Sequence, residues 1–196
     1  ELCVLAERHR LVLHPVIDCS PLLRAYQTAC IAAEVLAAET RKPFRVEQHA
    51  ALCERSLGAA ANLTVAQIDQ ILARDSRYGR PPPHWRYLPT FELPFPGAES
   101  LMSAGKRVAE HLRNTALALA SKSRAETLKL CVGHGGALRY AACELGVLEL
   151  ARAPQLSMQH GRPVLIERLT AGSWTHLDGS WEERSPIAKV AADVAV

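Results

Sequence analysis

The segment CVGHGGALRY at residues 131–140 places one histidine among three glycines directly after an apolar run. The preceding LKLCV is typical of a buried strand, and Leu138, Ala142 and Leu145 follow at the spacing of one helix face. The glycines therefore occupy a turn from a strand into a helix. Such a turn directs backbone N–H groups and a helix N-terminus at one point, which favours an anion. His134 is placed to meet that anion or to exchange a proton with it.

Two common phosphate-binding motifs do not fit this segment. The dinucleotide motif GxGxxG would need a glycine where the chain has Leu138, and the Gly-Lys-Ser/Thr of a nucleotide P-loop is absent from the sequence. A tight turn whose histidine is packed, or caps the helix, remains the alternative on this segment alone.

The composition is that of an ordinary globular protein. The 196 residues suit one domain with one sizeable core, and the hydrophobic and charged fractions are 48% and 22%. The net charge of +3 is too small to indicate a nucleic acid or an anionic membrane as a partner, although local arginines leave small anions open. No apolar run is long enough to span a bilayer.

The six cysteines favour free thiols over a metal site. None forms a C-x-x-C pair, so we expect no zinc site. Cys19 and Cys131 lie in or beside apolar, strand-like segments, which indicates buried thiols in a reducing compartment. We therefore expect a cytoplasmic protein. Because the first residue is Glu1, a removed targeting segment stays open.

Strand and helix patterns alternate along the chain. Ser20 is a good N-cap and Pro21 suits the first helical position, so we expect a helix over residues 21–38. Thr64 is placed to cap a second, short helix. This alternation predicts a single α/β domain with a largely parallel sheet. The other expected elements are a helix end at 3–12, a strand around 16–17, an extended segment at 44–53, a helix through 101–112, a strand at 128–132, a helix at 137–148 and two strands joined at 171–172.

Residues 76–96 interrupt the pattern with the proline-rich strings RPPPHW and ELPFPG. Prolines lack a backbone donor, so this segment cannot join the sheet. Long irregular excursions in compact domains are often functional. We expect a lid over a crevice, with Arg86, and also His84 or Trp85, meeting a substrate. An inert surface loop is the alternative.

Two strand-to-helix junctions carry residues that suit phosphate. Ser20-Pro-Leu-Leu-Arg24 follows the strand around residue 17, and His134 follows the strand at 128–132. In open α/β sheets, ligands bind beyond the carboxyl ends of the strands, so Arg24 and His134 are expected to face one crevice. The alternative for Arg24 is a solvated helix residue.

Four segments together resemble the histidine phosphatase superfamily, whose fold is that of phosphoglycerate mutase. SPLLRAYQTA at 20–29 is similar to its "SPLxRAxQTA" segment, and VGHGGALR at 132–139 is similar to its second-histidine motif. LCERSLG at 52–58 resembles "L-x-E-x-x-x-G", and PGAES at 96–100 resembles "PGGES". The order matches that of the family. The resemblance implies a three-layer α/β/α fold and phosphoryl transfer through a phosphohistidine.

The resemblance also implies roles for individual residues. Arg24 would bind phosphate, and His134 would bind and stabilise the transferring phosphoryl group. Glu54 would protonate the leaving oxygen and then activate water. Gly135 and Ser20 would contribute to substrate binding beside Arg86. No metal and no cofactor are expected.

One part of the family pattern is absent from the sequence. The family nucleophile lies in an Arg-His-Gly segment after the first strand, and no such string occurs here. His9 is too close to Ser20 in the chain for the helix that should intervene, and His160 falls in a late strand region. The sequence thus favours a missing initial segment, since loss of one catalytic residue would not explain loss of a strand.

The function implied is a phosphatase acting on a small phosphomonoester. A phosphoglycerate mutase is the first alternative, because Glu54-Arg55 and the prolines at 81–83 suit one, although the lysine expected after Gly58 is absent. The second alternative is an inactive pseudophosphatase that binds an anion or a partner. Neither nucleic acid nor membrane is expected as a partner, and a homodimer is left open.

Overall fold

The computed structural model describes residues 1–122 and 126–184, which form five α-helices and nine short strands. The helices are α1 (Leu2–Arg8), α2 (Leu23–Thr40), α3 (Val65–Arg74), α4 (Leu101–Lys122) and α5 (Gly135–Glu144). The strands are β1 (Val12–Leu13), β2 (Val16–Cys19), β3 (Arg45–Gln48), β4 (Thr127–Leu128), β5 (Cys131–Val132), β6 (Leu156–Ser157), β7 (Leu165–Arg168), β8 (Trp174–Asp178) and β9 (Glu182–Glu183).

The central sheet is parallel, as the sequence predicts. Its order is β3-β2-β5, and β1 pairs with β4 in the same parallel sense. The register places Cys19 beside Val132, so β2 and β5 end at the same level. Ser20 and His134 follow those two ends. Two antiparallel pairs, β7 with β8 and β6 with β9, complete the described strands.

Side chains of the central strands alternate between two helical layers. Ile17 and Cys19 pack against α2 through Ala29 and its neighbours. The opposite face is covered by α4 and α5, which approach so closely that a Cβ on Gly105 would lie 2.5 Å from the Tyr140 carbonyl carbon. Helices on both faces of the parallel sheet give the three-layer α/β/α arrangement expected from the sequence.

Two helices begin at residues other than the predicted ones. α2 begins at Leu23 with Leu22 as its N-cap, two residues later than the predicted start at Pro21, and Ser20 does not cap it. The Ser20 hydroxyl instead accepts the Leu22 N–H at 3.2 Å and turns towards His134. α5 begins at Gly135 rather than at residue 137, because the glycines already adopt helical geometry. The Thr64 cap is confirmed, with a reciprocal capping box to Gln67.

The irregular segment has a hydrophobic core of its own. Trp85 and Leu93 pack against Ile68 and Leu72 of α3, and the Trp85 indole N–H donates to Asp69 Oδ1 at 3.1 Å. All members of this cluster fall between residues 57 and 98. Across the described ranges, none of the helices has the length and hydropathy needed to cross a membrane.

Candidate active site

The N-terminus of α5 holds a carboxylate. The N–H groups of Gly136 and Ala137 donate to Glu54 Oε2 and Oε1 at 3.1 and 3.0 Å, and the Arg55 N–H donates to Oε1 at 2.8 Å. The glycine turn therefore does favour an anion, but the anion found there is Glu54. Its loop reaches the turn through a 3-10 turn, Ala50–Leu52, directly after β3.

His134 lies at the junction of β5 and α5, where its extended backbone makes it the N-cap residue. Its side chain is buried, and Nε2 lies 2.9 Å from Ser20 Oγ. Burial lowers the pKa of His134, the positive charge of Arg24 lowers it further, and Glu54 opposes both. Since an ordinary histidine has a pKa of 6.5, His134 is mainly neutral at pH 7.

Arg24 is in the first turn of α2, and its side chain reaches the space in front of His134. Arg24, Glu54, His134 and Gly135 all line one cavity. The structure thus brings together four of the six residues singled out from the sequence. Ser20 is fully buried behind His134, so it positions the imidazole in this structure and does not face the cavity.

The cavity is large and open, with a volume of about 1450 Å³. It runs between the strands β4 and β5 on one side and β7 on the other. Typical small-molecule sites enclose roughly 300–1,000 Å³, so this cleft has more room than a small phosphomonoester needs.

Arg86 lies outside the described lining of this cavity. Its carbonyl accepts a hydrogen bond from Arg55 Nη1 at 3.3 Å, and Arg55 is the residue that follows Glu54 in the chain. Trp85, which the sequence placed towards a substrate, is buried against α3, and the Arg55 guanidinium lies 5.9 Å from the centre of its ring. The lid interpretation of Trp85 is therefore replaced by packing within its own cluster.

A half-buried ion pair between Arg107 and Glu99 holds the loop that carries Glu54. Arg107 of α4 donates from Nε and Nη2 to the two oxygens of Glu99 at 3.0 and 2.8 Å. Its Nη1 donates to the carbonyls of Ala51 and Cys53 at 2.7 and 3.2 Å. Glu99 also accepts the Ser56 N–H at 3.0 Å. Sequence reasoning matched Glu99 within PGAES but missed Arg107. The signal that could have found Arg107 is its opposite charge, eight residues after Glu99 in the chain.

Arg139 is a second cation that the sequence reasoning did not single out. It is 5% exposed, lines the cavity, and donates from Nη1 to the Leu156 carbonyl at 2.6 Å. Burial and the nearby charge of Arg184 lower its pKa to about 10, so it stays charged at neutral pH. Its place in the quoted segment 132–139 was the available signal.

The structure also locates the two histidines that the sequence set aside. His9 lies 2.7 Å from Asp178 Oδ2, an oxygen that Arg8 contacts at the same distance, so His9 belongs to a surface ion cluster. His160 is exposed on the wall of the cavity. In the part of the chain that the structure describes, His134 and His160 are the histidines that line the cavity.

Comparisons with known proteins agree with this arrangement. The sequence model of the histidine phosphatase superfamily, branch 1, matches residues 4–177. A mycobacterial glucosyl-3-phosphoglycerate phosphatase, solved with inorganic phosphate, is 25% identical, with a TM-score of 0.57 over 93% of this chain and 81% of that one. A structure described as mycobacterial hydrolase 2 is 24% identical, with a TM-score of 0.57 over 97% of this chain and 80% of that one. A search of curated proteins found no match.

Proposed function

Because the chain belongs to the histidine phosphatase superfamily, we propose that it hydrolyses a small phosphomonoester at the cavity lined by Arg24, Glu54 and His134. The observation that carries the proposal is the hydrogen-bonded position of the Glu54 carboxylate. Three N–H groups fix its carboxylate at the N-terminus of α5, next to the residue, His134, that follows β5. An orientated carboxyl group beside a cationic, partly enclosed site is the arrangement that phosphate ester cleavage needs.

Each residue has a task in the proposed reaction. Arg24 presents paired N–H donors to the phosphate oxygens, and His134 adds a hydrogen bond from a position fixed by Ser20. An attacking imidazole nitrogen forms a bond to phosphorus as the ester P–O bond breaks, and Glu54, in its protonated form, gives its proton to the leaving oxygen. In the second step Glu54 takes a proton from water, whose oxygen bonds to phosphorus as the N–P bond of the phosphohistidine breaks, which releases inorganic phosphate and the free imidazole. Arg139 adds positive charge to the cavity wall.

The attacking imidazole belongs between β5 and β7. Among the described strands, β5 pairs with β2 alone and β7 with β8 alone, and the cavity separates the two. A further strand fits such a gap because both facing edges carry backbone groups without a strand partner in the described part. A histidine at the carboxyl end of that strand would lie at the same level as Ser20 and His134. This is the position we propose for the nucleophile.

Similar structures support hydrolysis over mutase activity. One of them is named a phosphatase, and the mycobacterial proteins of the two comparisons carry hydrolase or phosphatase names. Glucosyl-3-phosphoglycerate is the substrate in the name of the similar phosphatase, and it does not define the substrate of this chain. A cytoplasmic location and a homodimer stay predictions.

A second function, anion binding without turnover, is favoured by one observation. His160 is exposed, and His134 is hydrogen-bonded to Ser20, so neither described histidine on the cavity stands ready as a nucleophile. In that case Arg24 and Arg139 would hold an anion or an anionic partner. The protein would then bind phosphate and leave phosphomonoesters intact.

The test is phosphoryl labelling followed by turnover. The protein is incubated with a chromogenic phosphomonoester, with and without bisphosphoglycerate, quenched at alkaline pH, and examined by mass spectrometry for phosphohistidine. Phosphohistidine together with phosphate release supports the phosphatase. Activity that requires bisphosphoglycerate supports the mutase. Phosphate binding with neither labelling nor turnover supports the anion-binding function. If Arg24→Ala abolishes binding, labelling and turnover, these properties belong to this cavity.

A further inference from the structure

A cluster of metal-ligating side chains lies on the α4 face of the sheet, and its Cys131 also lines the cavity of the proposed reaction. The register of β2 with β5 puts Asp18 beside Cys131, so their side chains share one face. His49 follows β3 on the same side of the sheet, where it meets Asp18. α4 covers this face and contributes His111.

Asp18 is the centre of the cluster. Its side chain is 5% exposed, and its Oδ2 lies 3.0 Å from His111 Nε2. Its other oxygen, Oδ1, lies 2.7 Å from Lys129 Nζ and 3.4 Å from His49 Nε2. The two imidazole rings are 4.6 Å apart.

His49 lies beside this cluster, and its ligand nitrogen groups with Asp18 and Glu47 rather than with His111 and Cys131. Its Nε2 is shielded from solvent and makes no hydrogen bond within the described residues, although it points at the Asp18 carboxylate. A shielded nitrogen without a hydrogen bond costs free energy unless it binds something. The side chain as a whole is 34% exposed, so an ion could reach the cluster along it.

We propose that Asp18, His111 and Cys131 bind a divalent transition-metal ion of the zinc type. The ion would take Asp18 Oδ2, His111 Nε2 and the Cys131 Sγ, with a water as the remaining ligand. Lys129 would stay on Asp18 Oδ1. The role is structural, because none of the three residues has a task in the proposed reaction.

The donor set selects the kind of metal. One oxygen, one imidazole nitrogen and a thiolate suit zinc, whereas magnesium and calcium prefer oxygen ligands. The ligand atoms of Asp18, His111 and Cys131 lie within 4.8 Å of one another. Around a tetrahedral zinc, donor atoms are roughly 3.3–3.8 Å apart, and Asp18 Oδ2 and His111 Nε2, at 3.0 Å, are already near that spacing. The ligands come from separate strands and a helix, and so a search for C-x-x-C pairs does not find them.

Such an ion would tie β2 and β5 to α4. Those strands lead directly into Ser20 and His134. Metal binding would therefore stiffen the frame of the candidate active site without entering the reaction. The competing role is a self-neutralised ion pair of Asp18 with Lys129, in which the histidines only fill space.

The test uses cobalt as a spectroscopic probe. The purified protein is stripped with a chelator and titrated with Co²⁺ alone. We expect tetrahedral visible bands and a near-ultraviolet thiolate-to-cobalt band, saturating at one ion per chain, with Zn²⁺ displacing the cobalt. The thermal midpoint should rise with Zn²⁺, because the ion binds the folded state. Absence of cobalt bands in the wild-type protein, which requires no variant, overturns the proposal.

Variants then assign the ligands. Cys131→Ser should abolish the near-ultraviolet band and weaken binding by at least roughly 10- to 100-fold, the loss that even an outer-shell partner can cause. His111→Gln should weaken binding similarly. Cys143→Ser is the matched control, a half-buried thiol on α5 whose replacement should leave both spectrum and affinity unchanged. A Cys131→Ser spectrum identical to that of Cys143→Ser, with both variants folded by circular dichroism, also overturns the proposal.

Discussion

The Gly136 N–H and the Glu54 carboxylate are in direct contact, 3.1 Å apart, with no room for a side chain between them. A Cβ on Gly136 would lie 2.7 Å from Glu54 Oε1 and 2.8 Å from Oε2. Position 136 is therefore a glycine because the carboxylate occupies the space of a side chain. The contact links the glycine turn to the residue proposed as general acid.

Gly136→Ala should displace Glu54. Alanine usually stabilises a helix by about 0.5–1 kcal/mol relative to glycine, but here the methyl group collides with the carboxylate. We expect the free energy of unfolding to fall and kcat/KM to fall by roughly 100-fold, towards the full value of general acid catalysis. Urea unfolding and steady-state kinetics measure the two effects.

Gly135→Ala is the matched control for the unfolding measurement. It lies in the same turn, and the nearest atom to its added Cβ would be Met158 Cβ at 4.0 Å. This variant should unfold at the same or a higher urea concentration than the wild type. Equal destabilisation of the two variants would show that the turn, and not Glu54, is sensitive to a methyl group.

Glu54→Gln should keep phosphate binding and slow turnover by about 100- to 10,000-fold. The loss should shrink for nitrophenyl phosphate, since a good leaving group needs little protonation. The measurement is kcat/KM for a series of esters with leaving groups of different basicity. A loss independent of the leaving group would remove Glu54 from the role of acid.

Arg107→Ala should impair catalysis although Arg107 touches no reacting atom. It releases three carbonyls of the Glu54 loop and leaves Glu99 without its bidentate partner, which costs about 1–3 kcal/mol of stability. We expect kcat to fall more than KM changes. Arg107→Lys should not restore it, because an ammonium cannot reproduce the paired geometry.

A double-mutant cycle with Glu99→Gln separates positioning from a general loss of stability. The two changes should be strongly non-additive, since they break one pair. Arg113→Ala, on the same helix and bonded to the Glu144 carbonyl at 2.8 Å, is the control. Additive effects in the cycle would contradict the proposed clamp.

Stability should decrease as the pH falls below 6.5. The pKa of His134 is lowered in the folded protein, mainly by burial, so in the unfolded chain the histidine binds its proton at higher pH. The unfolded state then carries more protons, and the free energy of unfolding falls from about pH 6.5 down to the lowered pKa, below which it levels off. His134→Gln should flatten this part of the profile. A profile unchanged by that substitution would assign the pH dependence to other groups.

Arg86→Ala tests the remaining lid interpretation. Arg86 does not line the described cavity, so it can meet only a substrate that extends beyond the phosphate. We expect kcat/KM to fall for the physiological substrate and to change little for a small generic ester. Equal effects on both would leave residues 76–96 as a scaffold.

The parallel-sheet argument could be made from sequence because it depends on order alone. Alternation of strands and helices placed Arg24 and His134 at neighbouring strand ends, and both line one cavity. The seat of Glu54 could not be predicted, because it depends on a loop whose path is set by Arg107 from a distant helix. The predicted N-cap role of Ser20 was wrong: α2 begins later, with Leu22 as its N-cap, and the Ser20 hydroxyl contacts both the Leu22 N–H and His134, 114 residues away.

The prediction for Trp85 shows a further limit of reasoning from sequence alone. A proline-rich, aromatic segment is compatible with an open lid and with a packed unit, and composition does not separate them. The choice depends on α3, whose apolar face at Ile68 and Leu72 accepts the indole ring. A tertiary contact therefore decides what local pattern leaves open.

The hydrophobic cluster of residues 57–98 has a consequence for how this protein can diverge. Every member of the cluster lies within residues 57–98, so the cluster owes little to the parallel sheet. Insertions and replacements within it would leave the register of β2 and β5 intact. This portion is thus a module that can be exchanged, while the turn carrying His134 and Gly136 is held constant by the frame beneath it.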